Sequence, residues 1–232
     1  AGGPCGIYAS QIEAVTVEGA QFSQLTSAEG VLGAYGSALR VEDCGLAEIK
    51  NATFDGCKGG SDGGAVMMRS EGVVLEGCTF TNCSARNGGG IYFADYRAKV
   101  INTTFTNCAA QNDGGAIYVG GKSQITMEGV TIDSCTAPTG GGIFVSAAGI
   151  SETDGTAADT FLTMDDQCVI TQCHATGEGG GIYIERRGQV RLDGAKITGC
   201  AANAGGGIFV YYQNDHGPKN AFLQVSGGAQ IT

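Results

Sequence analysis

Blocks of consecutive glycines that end in Ile or Val recur along this chain at a nearly fixed interval. The third residues of six blocks are 25, 26, 26, 39 and 26 positions apart. Two weaker copies, around Gly6-Ile7-Tyr8 and Gly33-Ala34-Tyr35, precede them. A period sustained over most of a chain indicates a repeat architecture in which each unit packs on its neighbours. The six blocks occupy residues 63–66, 88–91, 114–117, 140–143, 179–182 and 205–208.

A second motif keeps step with the first. A Phe or Ile lies three residues before a Cys, and that Cys comes 7 or 8 residues before the third residue of the next block. Phe22-x-x-Leu25 is a degenerate early copy, and Ile231 starts another. Two independent motifs that share one register predict a repeat across most of the chain. The six copies are Phe54-x-x-Cys57, Phe80-x-x-Cys83, Phe105-x-x-Cys108, Ile132-x-x-Cys135, Ile170-x-x-Cys173 and Ile197-x-x-Cys200.

Each unit of roughly 26 residues contains short apolar or β-branched runs separated by Gly, Asn, Asp and Ser. No run is long enough for a helical period, so three strands of 3–5 residues per unit are predicted. The fold class is therefore all-β, a parallel β-helix of about eight rungs stacked about 4.8 Å apart. Gly-Gly fits a corner where a side chain would collide with the next rung. One inward ladder is predicted to contain Ile7, Ala34, Val66, Ile91, Ile117, Ile143, Ile182 and Ile208.

The repeat predicts a single domain over residues 1–232, with insertions near 146–160 and 211–221. Both insertions follow the Gly-Gly-x-Ile strand of their rung, so we expect them on one side of the stack. Only 3 Pro accompany the 41 Gly, which excludes collagen. A hydrophobic content of 42% argues against disorder, and a net charge of −10 argues against a nucleic-acid partner. No run is long enough to predict direct membrane insertion, and no motif indicates a cofactor.

The two motifs resemble the Gly-Gly-Ala-Ile and Phe-x-x-Asn repeats of polymorphic outer-membrane proteins, bacterial surface adhesins with β-helical passengers. They also resemble pectate-lyase-like adhesive domains. Gly114-Gly115-Ala116-Ile117 matches the first motif fully, whereas Cys stands where the second motif has Asn. The resemblance implies a secreted, right-handed parallel β-helix used for adhesion or for building surface structures.

Six of the ten cysteines occupy the same position of successive rungs, so they form a predicted ladder. Neighbouring Cα atoms about 4.8 Å apart lie within the range for a disulfide. Pairing Cys57 with Cys83, Cys108 with Cys135, and Cys173 with Cys200 would link rungs. The alternative is a column of buried, reduced thiols. A zinc site at the spacings Cys78/Cys83 and Cys168/Cys173 is disfavoured, because that spacing simply follows the rung repeat.

Three N-x-Ser/Thr sequons predict candidate N-glycosylation at Asn51, Asn82 and Asn102. Asn51 and Asn102 share a rung position, so an Asn ladder or a turn is the alternative.

An aromatic column is predicted one residue after the Ile ladder. Strand alternation places it on the outer surface, where it would bind sugar rings or pack against another layer. The alternative is cross-rung stacking that stabilises the sheet. Thr79-x-Thr81 and Thr104-x-Thr106 suggest ice binding, but two rungs make too short an array to favour it. The column is Tyr8, Tyr35, Tyr92, Tyr118, Phe144, Tyr183 and Phe209, with Met67 in one rung.

Catalysis on pectin-type polysaccharides is the rival enzyme hypothesis. Asp165-Asp166 and Asp215-His216-Gly217 loosely resemble two polygalacturonase motifs, but the accompanying Asn-Thr-Asp and Arg-Ile-Lys motifs are absent. Two solvated carboxylates at a turn are therefore the favoured interpretation, and no catalytic residue is assigned.

The chain opens and stops inside a rung, with no cap visible in the sequence. Two explanations compete: a piece of a longer protein, or a protomer that stacks head to tail. We expect an extracellular structural or adhesive protein. The expected partners are further copies of the chain, other surface proteins or glycans. The alternatives are a carbohydrate-binding adhesin and a polysaccharide hydrolase or lyase.

Overall fold

The 26-residue unit folds into one rung of stacked short strands. The computed structural model describes residues 6–27, 35–94, 96–147, 159–211 and 221–232. Every strand pairs in parallel with the equivalent strand of the next rung, which builds three eight-stranded sheets and one four-stranded sheet. These residues contain no helix. The predicted all-β parallel β-helix of about eight rungs is confirmed.

We name the sheets A to D. Sheet A contains Ile7–Ser10, Leu39–Glu42, Val66–Arg69, Ile91–Ala94, Ile117–Gly120, Ile143–Ser146, Ile182–Glu185 and Ile208–Val210. Sheet B contains Ala14–Glu18, Leu46–Lys50, Val73–Glu76, Arg97–Ile101, Gln124–Glu128, Thr160–Met164, Gly188–Asp193 and Phe222–Ser226. Sheet C contains Gln21–Ser23, Thr53–Asp55, Thr79–Thr81, Thr104–Thr106, Thr131–Asp133, Val169–Thr171, Lys196–Thr198 and Gln230–Ile231. The short sheet D contains Ser84–Asn87, Ala109–Asp113, Thr136–Ala137 and His174–Ala175.

The two glycines of each block are required for different reasons. The first, such as Gly114, has a φ of +66°, a left-handed conformation that costs other residues energy. The second, such as Gly115, lies so close to the next rung that an added Cβ would be 2.0 Å from the carbonyl oxygen of Gly141. The collision with the neighbouring rung predicted for these corners is confirmed.

The second rung differs from the sequence prediction. Leu39 is the residue that aligns with Ile7 and Val66 in sheet A, whereas Ala34 was predicted at this position and lies outside the described residues. The corner of this rung is Gly36-Ser37-Ala38, which has Ser in place of the second glycine. The Ser37 hydroxyl donates to the carbonyl of Gly64 at 2.5 Å, so a contact that elsewhere excludes a side chain becomes a hydrogen bond.

The interior is one continuous apolar core formed by the inward residues of sheets A, B and C. Phe22, Phe54, Phe80 and Phe105 stack along the axis, with successive ring centroids 5.0, 4.5 and 4.7 Å apart. Full burial of such a ring stabilises the fold by roughly 1.5–3 kcal/mol, and stacking adds about 0.5–1.5 kcal/mol per pair. The ladder position predicted from the Phe/Ile motif is therefore the centre of the core.

Both predicted insertions lie between a sheet A strand and the sheet B strand of the same rung. The first connects Ser146 with Thr160 and the second connects Val210 with Phe222. Most of their residues, 148–158 and 212–220, lie outside the described part of the chain.

Replacing Gly115 by Ala should destabilise the rod far more than replacing Gly199 by Ala. Gly115→Ala forces backbone atoms of two neighbouring segments apart, which we expect to cost about 3 kcal/mol or more. Gly199 has a φ of +62° but no atom closer than 3.8 Å to an added Cβ, so only the backbone cost of about 1 kcal/mol remains. Urea unfolding of both variants measures the difference. Equal losses would contradict the proposed rung-to-rung contact.

Candidate functional site

The outer face of sheet A carries the predicted aromatic column. The register aligns Tyr8, Arg40 and Met67 with five aromatic residues of the later rungs, which are Tyr92, Tyr118, Phe144, Tyr183 and Phe209. Tyr35 was predicted in this column, but the register gives its position to Arg40. The prediction failed there because Gly33-Ala34-Tyr35 imitates the corner motif and the true corner follows it.

Tyr35 nevertheless contacts the column through Arg40. The Arg40 guanidinium lies 4.9 Å from the Tyr35 ring centroid and 5.0 Å from that of Tyr8, which are cation–π distances. Glu42 accepts a hydrogen bond from Arg40 at 2.8 Å and one from the Tyr8 hydroxyl at 3.2 Å. A charged residue thus continues the column through the second rung.

The three central rings of the column are buried against their neighbours and are not exposed to solvent. Tyr118, Phe144 and Tyr183 are 9%, 4% and 7% exposed, although they stand on the outer side of the sheet. Stacked neighbours have ring centroids 4.6–5.5 Å apart between Tyr92 and Phe209. The exposed stripe predicted from strand alternation is therefore wrong for these three rings, and cross-rung stacking describes them.

A glycine explains how one ring lies flat. An added Cβ at Gly120 would be 2.6 Å from the Cε1 atom of Tyr118, so the ring covers the space that a side chain would fill. Burial is the main cause that raises the pKa of both Tyr118 and Tyr183, so both phenols stay protonated and neutral.

Carboxyl groups border the aromatic column. Asp62, Asn87 and Asp113 occupy equivalent positions of successive rungs, and the Asn87 amide donates to Asp62 at 2.7 Å. Desolvation raises the pKa of Asp113 to about 6, and the negative charge of Glu185 adds to the effect, while a hydrogen bond with Thr139 opposes it. Desolvation also raises the pKa of Asp62. The side of the column next to Asp113 is thus an acidic, partly dehydrated strip.

The six predicted ladder cysteines do form one inward column, but as free thiols. The predicted disulfides are therefore corrected to the reduced alternative. Directly stacked parallel residues keep their Cβ atoms about as far apart as the strands, about 4.8 Å. A disulfide needs about 3.5–4.5 Å between Cβ atoms. Each thiol instead contacts backbone carbonyls, as Cys83 does with the oxygens of Phe54 at 3.5 Å and Thr81 at 3.4 Å.

The other described cysteines lie in separate environments. Cys44 and Cys78 are buried, and Cys168 accepts a hydrogen bond from the Val130 amide at 3.4 Å. Burial raises the pKa of Cys168 to about 12. Cys5 lies outside the described residues, and within the described ones no three His, Cys, Asp or Glu side chains converge as a metal site.

The three sequon asparagines are exposed corner residues with left-handed backbones, and their φ angles are +53° at Asn51, +56° at Asn82 and +46° at Asn102. An Asn tolerates this conformation better than most residues. The Asn82 amide donates to Asp55 at 3.2 Å. Asn51 and Asn102 point over the glycine of the following rung, where an added Cβ would be 2.6 and 2.5 Å from their Oδ1 atoms. Glycosylation stays a prediction.

Of the carboxylates considered for catalysis, the structure describes Asp165 and Asp166, which lie at one turn after a sheet B strand. Asp165 caps a turn, because its Oδ1 accepts hydrogen bonds from the amides of Gly129 and Gln167 at 3.1 and 3.2 Å. Asp166 is exposed on the same turn. Asp215, His216 and Gly217 lie outside the described residues.

One surface was largely missed by the sequence reasoning. The outer face of sheet C carries two columns of residues that flank the buried Phe/Ile ladder, and eight of the twelve positions in rungs two to seven are Thr. In the sequence this surface shows as Thr on either side of the Phe/Ile position. The sequence analysis noted that pattern in two rungs only, at Thr79-x-Thr81 and Thr104-x-Thr106. We call this surface the threonine face. Its first column is Thr53, Thr79, Thr104, Thr131, Val169 and Lys196, and its second is Asp55, Thr81, Thr106, Asp133, Thr171 and Thr198.

A comparison with models of known protein families shows which family the chain belongs to. A family model described as right-handed β-helix region matches residues 2–157 and 37–226. The chain therefore belongs to the right-handed β-helix family. No curated protein and no solved structure matches it. The narrower resemblance to polymorphic outer-membrane repeats stays a prediction. In the described residues, no helix has the length and apolar character that crossing a membrane requires.

The cysteine column should resist alkylation until the rod unfolds. Cys57, Cys83, Cys108, Cys135 and Cys173 are fully buried, and Cys200 is partly accessible. We expect iodoacetamide to modify Cys200 first and the other five only in denaturant, as read by peptide mass spectrometry. Disulfide-linked ladder peptides in a non-reduced digest would contradict the free-thiol column.

Protonation of the Asp113 carboxyl should raise the free energy of unfolding as the pH falls from about 7 to about 4. Its folded pKa of about 6 exceeds the unfolded value of about 3.9, so the fold favours the protonated form. Asp113→Asn should therefore stabilise at pH 7 by on the order of 1 kcal/mol, because solvent screens part of the effect. The gain should vanish at pH 4, where the carboxyl of Asp113 is protonated in the folded protein. Thermal melts at both pH values test this, and a gain that persists at pH 4 would contradict it.

Proposed function

We propose that this β-helix is an extracellular structural and adhesive rod without catalytic activity. The observation that carries the proposal is the packed aromatic column of sheet A. Five rings that strand alternation places outside stack on one another through five rungs, and the three central ones are less than a tenth exposed. Ring stacking on the outer face of sheet A adds contacts between rungs to those of the continuous apolar core, and so stiffens the rod.

The regular pairing supports a structural role. Sheets A, B and C each run through all eight rungs. Between rungs three and four, for example, all three strands pair with no shift of register. Such a rod presents each outer column as an evenly spaced row, which suits contact with an extended partner.

The chemistry of the described carboxylates supports a role other than hydrolysis. Asp165 is engaged by two backbone amides, which is the arrangement of a turn cap. A glycosidase needs two carboxyl groups facing one another across a substrate. Carbohydrate binding by the column would require accessible ring faces, and in the column Tyr8 alone is more than half exposed.

Secretion and the partners belong to the same proposal. The exposed sequon asparagines suit an extracellular protein, and the buried thiols are shielded from oxidants. Head-to-tail assembly stays a prediction that electron microscopy of the native material tests.

Tyr118→Ala should lower stability and leave polysaccharide binding unchanged. Removing a packed ring typically costs about 3–5 kcal/mol. The measurements are urea unfolding, a glycan array, and product release from pectin-type polymers. A folded Tyr118→Ala that loses glycan binding would favour a carbohydrate-binding adhesin. Polymer cleavage that Asp166→Asn abolishes, while Asp193→Asn on the following rung retains it, would replace the proposal with an enzyme.

A further inference from the structure

An open cleft lies on the outer side of sheet B, where the chain passes from sheet A to sheet B in rungs three to five. Its volume is about 490 Å³, within the range of pockets that hold small ligands. The described residues that line it combine an aromatic ring, two cations, a carboxylate and an amide. They are Glu71 and Gly72 of rung three, Tyr96 and Arg97 of rung four, and Lys122 and Gln124 of rung five.

The missing side chain of Gly72 opens this cleft. The pairing of Val73 with Ala98 puts Gly72 one rung before Arg97 in the outer column of sheet B. An added Cβ at Gly72 would have two described atoms within 4 Å, the carbonyl oxygen of Gly45 at 3.3 Å and Cδ1 of Leu46 at 3.6 Å, and both belong to the second rung. Within the described part of the chain, the space between Gly72 and the Arg97 side chain is therefore free for a ligand.

Backbone pairing fixes the rest of the cleft. Arg97 pairs with Gln124, and the backbone amide of Gln124 donates to the carbonyl of Tyr96 at 2.8 Å. Equivalent residues of neighbouring rungs are about 4.8 Å apart, so the side chains of Arg97 and Gln124 project side by side. A site held by paired strands keeps its polar groups in place before a ligand arrives.

Positive charge exceeds negative charge in the cleft, although the chain as a whole has a net charge of −10. The cleft contains the cations of Arg97 and Lys122 and one carboxylate, that of Glu71. Arg97 is exposed, and no ion pair or hydrogen bond joins its side chain to another described residue, whereas Lys99 of the same strand pairs with Glu128 at 2.9 Å. The planar guanidinium of Arg97 is thus available for a carboxylate, which its paired donors match.

We propose that this cleft binds a terminal acidic sugar of the sialic acid class, a glycan end with one carboxylate and several hydroxyl groups. The sugar carboxylate accepts hydrogen bonds from Arg97 and Lys122, and the apolar side of the sugar packs on the half-buried ring of Tyr96. The side chains of Gln124 and Glu71 bind sugar hydroxyls. The inference rests on the adhesive role proposed above and names a ligand for it.

Ligands with many charges fit this cleft less well. A sulfated or uronate polymer carries anionic groups along its whole length, and both Glu71 and the net charge of −10 repel the additional charges. An acidic peptide that added a strand would need a free sheet edge. In rungs three to five every sheet B strand is paired on both sides. The cleft therefore suits a glycan end with a single carboxylate.

Two arginines on the outer face of sheet B give a matched comparison. Arg97→Ala removes a cation from the cleft, and Arg191→Ala removes an exposed arginine three rungs away. Isothermal titration calorimetry measures the binding of sialyllactose and of lactose to the full chain. We expect sialyllactose to bind more tightly than lactose. Arg97→Ala should weaken sialyllactose binding roughly tenfold, equivalent to about 1.4 kcal/mol, whereas Arg191→Ala should retain it.

A second variant, Lys122→Ala, keeps the test valid if Arg97→Ala fails to fold, and circular dichroism melts verify the fold of each. The proposal would be overturned if the wild-type chain did not bind sialyllactose, if Arg191→Ala lost as much affinity as Arg97→Ala, or if heparin bound more tightly than sialyllactose.

Retention of the wild-type chain on cultured mammalian cells separates this inference from the adhesive role. We expect treatment of the cells with sialidase to reduce retention. Retention that sialidase leaves unchanged would overturn the cleft proposal and leave the adhesive role standing. No retention on untreated cells, together with no binding of sialyllactose, would overturn both.

Discussion

The hydrogen bonds between successive Gly-Gly corners set the geometry on which the rest of the rod depends. The amide of Gly89 donates to the carbonyl of Gly114 at 3.1 Å, and that of Gly115 donates to Gly140 at 3.0 Å. A Cβ at the second glycine would occupy the space of the neighbouring carbonyl, so the rungs approach this closely only where side chains are absent. Once the corners are in contact, the sheet A strands that follow them pair without a shift of register, and the core residues stack.

The sequence was sufficient to predict the fold because two motifs of different chemistry kept the same period. The corner glycines marked where the backbone turns, and the Phe/Ile position marked the centre of the core. The second rung could not be placed, because Gly33-Ala34-Tyr35 resembles a corner more closely than the Gly36-Ser37-Ala38 that forms it. Only the pairing of Leu39 with Val66 resolves the choice, and pairing is a property of the neighbouring rung.

The outer surfaces were harder to predict, for a physical reason. Alternation along a strand tells which side of the sheet a residue occupies, but exposure also depends on how large side chains fold down over small neighbours. Tyr118 is on the outer side and yet buried, because Gly120 leaves space for its ring. The cysteines show the same limitation, since a Cα spacing compatible with a disulfide does not imply a compatible Cβ spacing. The threonine face was also hard to predict from the sequence, because its residues form columns only when the rungs are aligned in the register of the structure.

In sheets A, B and C the strands of the third and fourth rungs pair without a shift of register, so the rod can lengthen in whole-rung steps. Residues 91–116 begin at one sheet A strand and end immediately before its equivalent, so that duplicating them would place Ile beneath Ile and Phe beneath Phe. Each such duplication would add one rung, or about 4.8 Å, to the axis without demanding a new interior. The length of such a protein is thus free to change in whole-rung steps during evolution, while every outer column grows by one member at the same time.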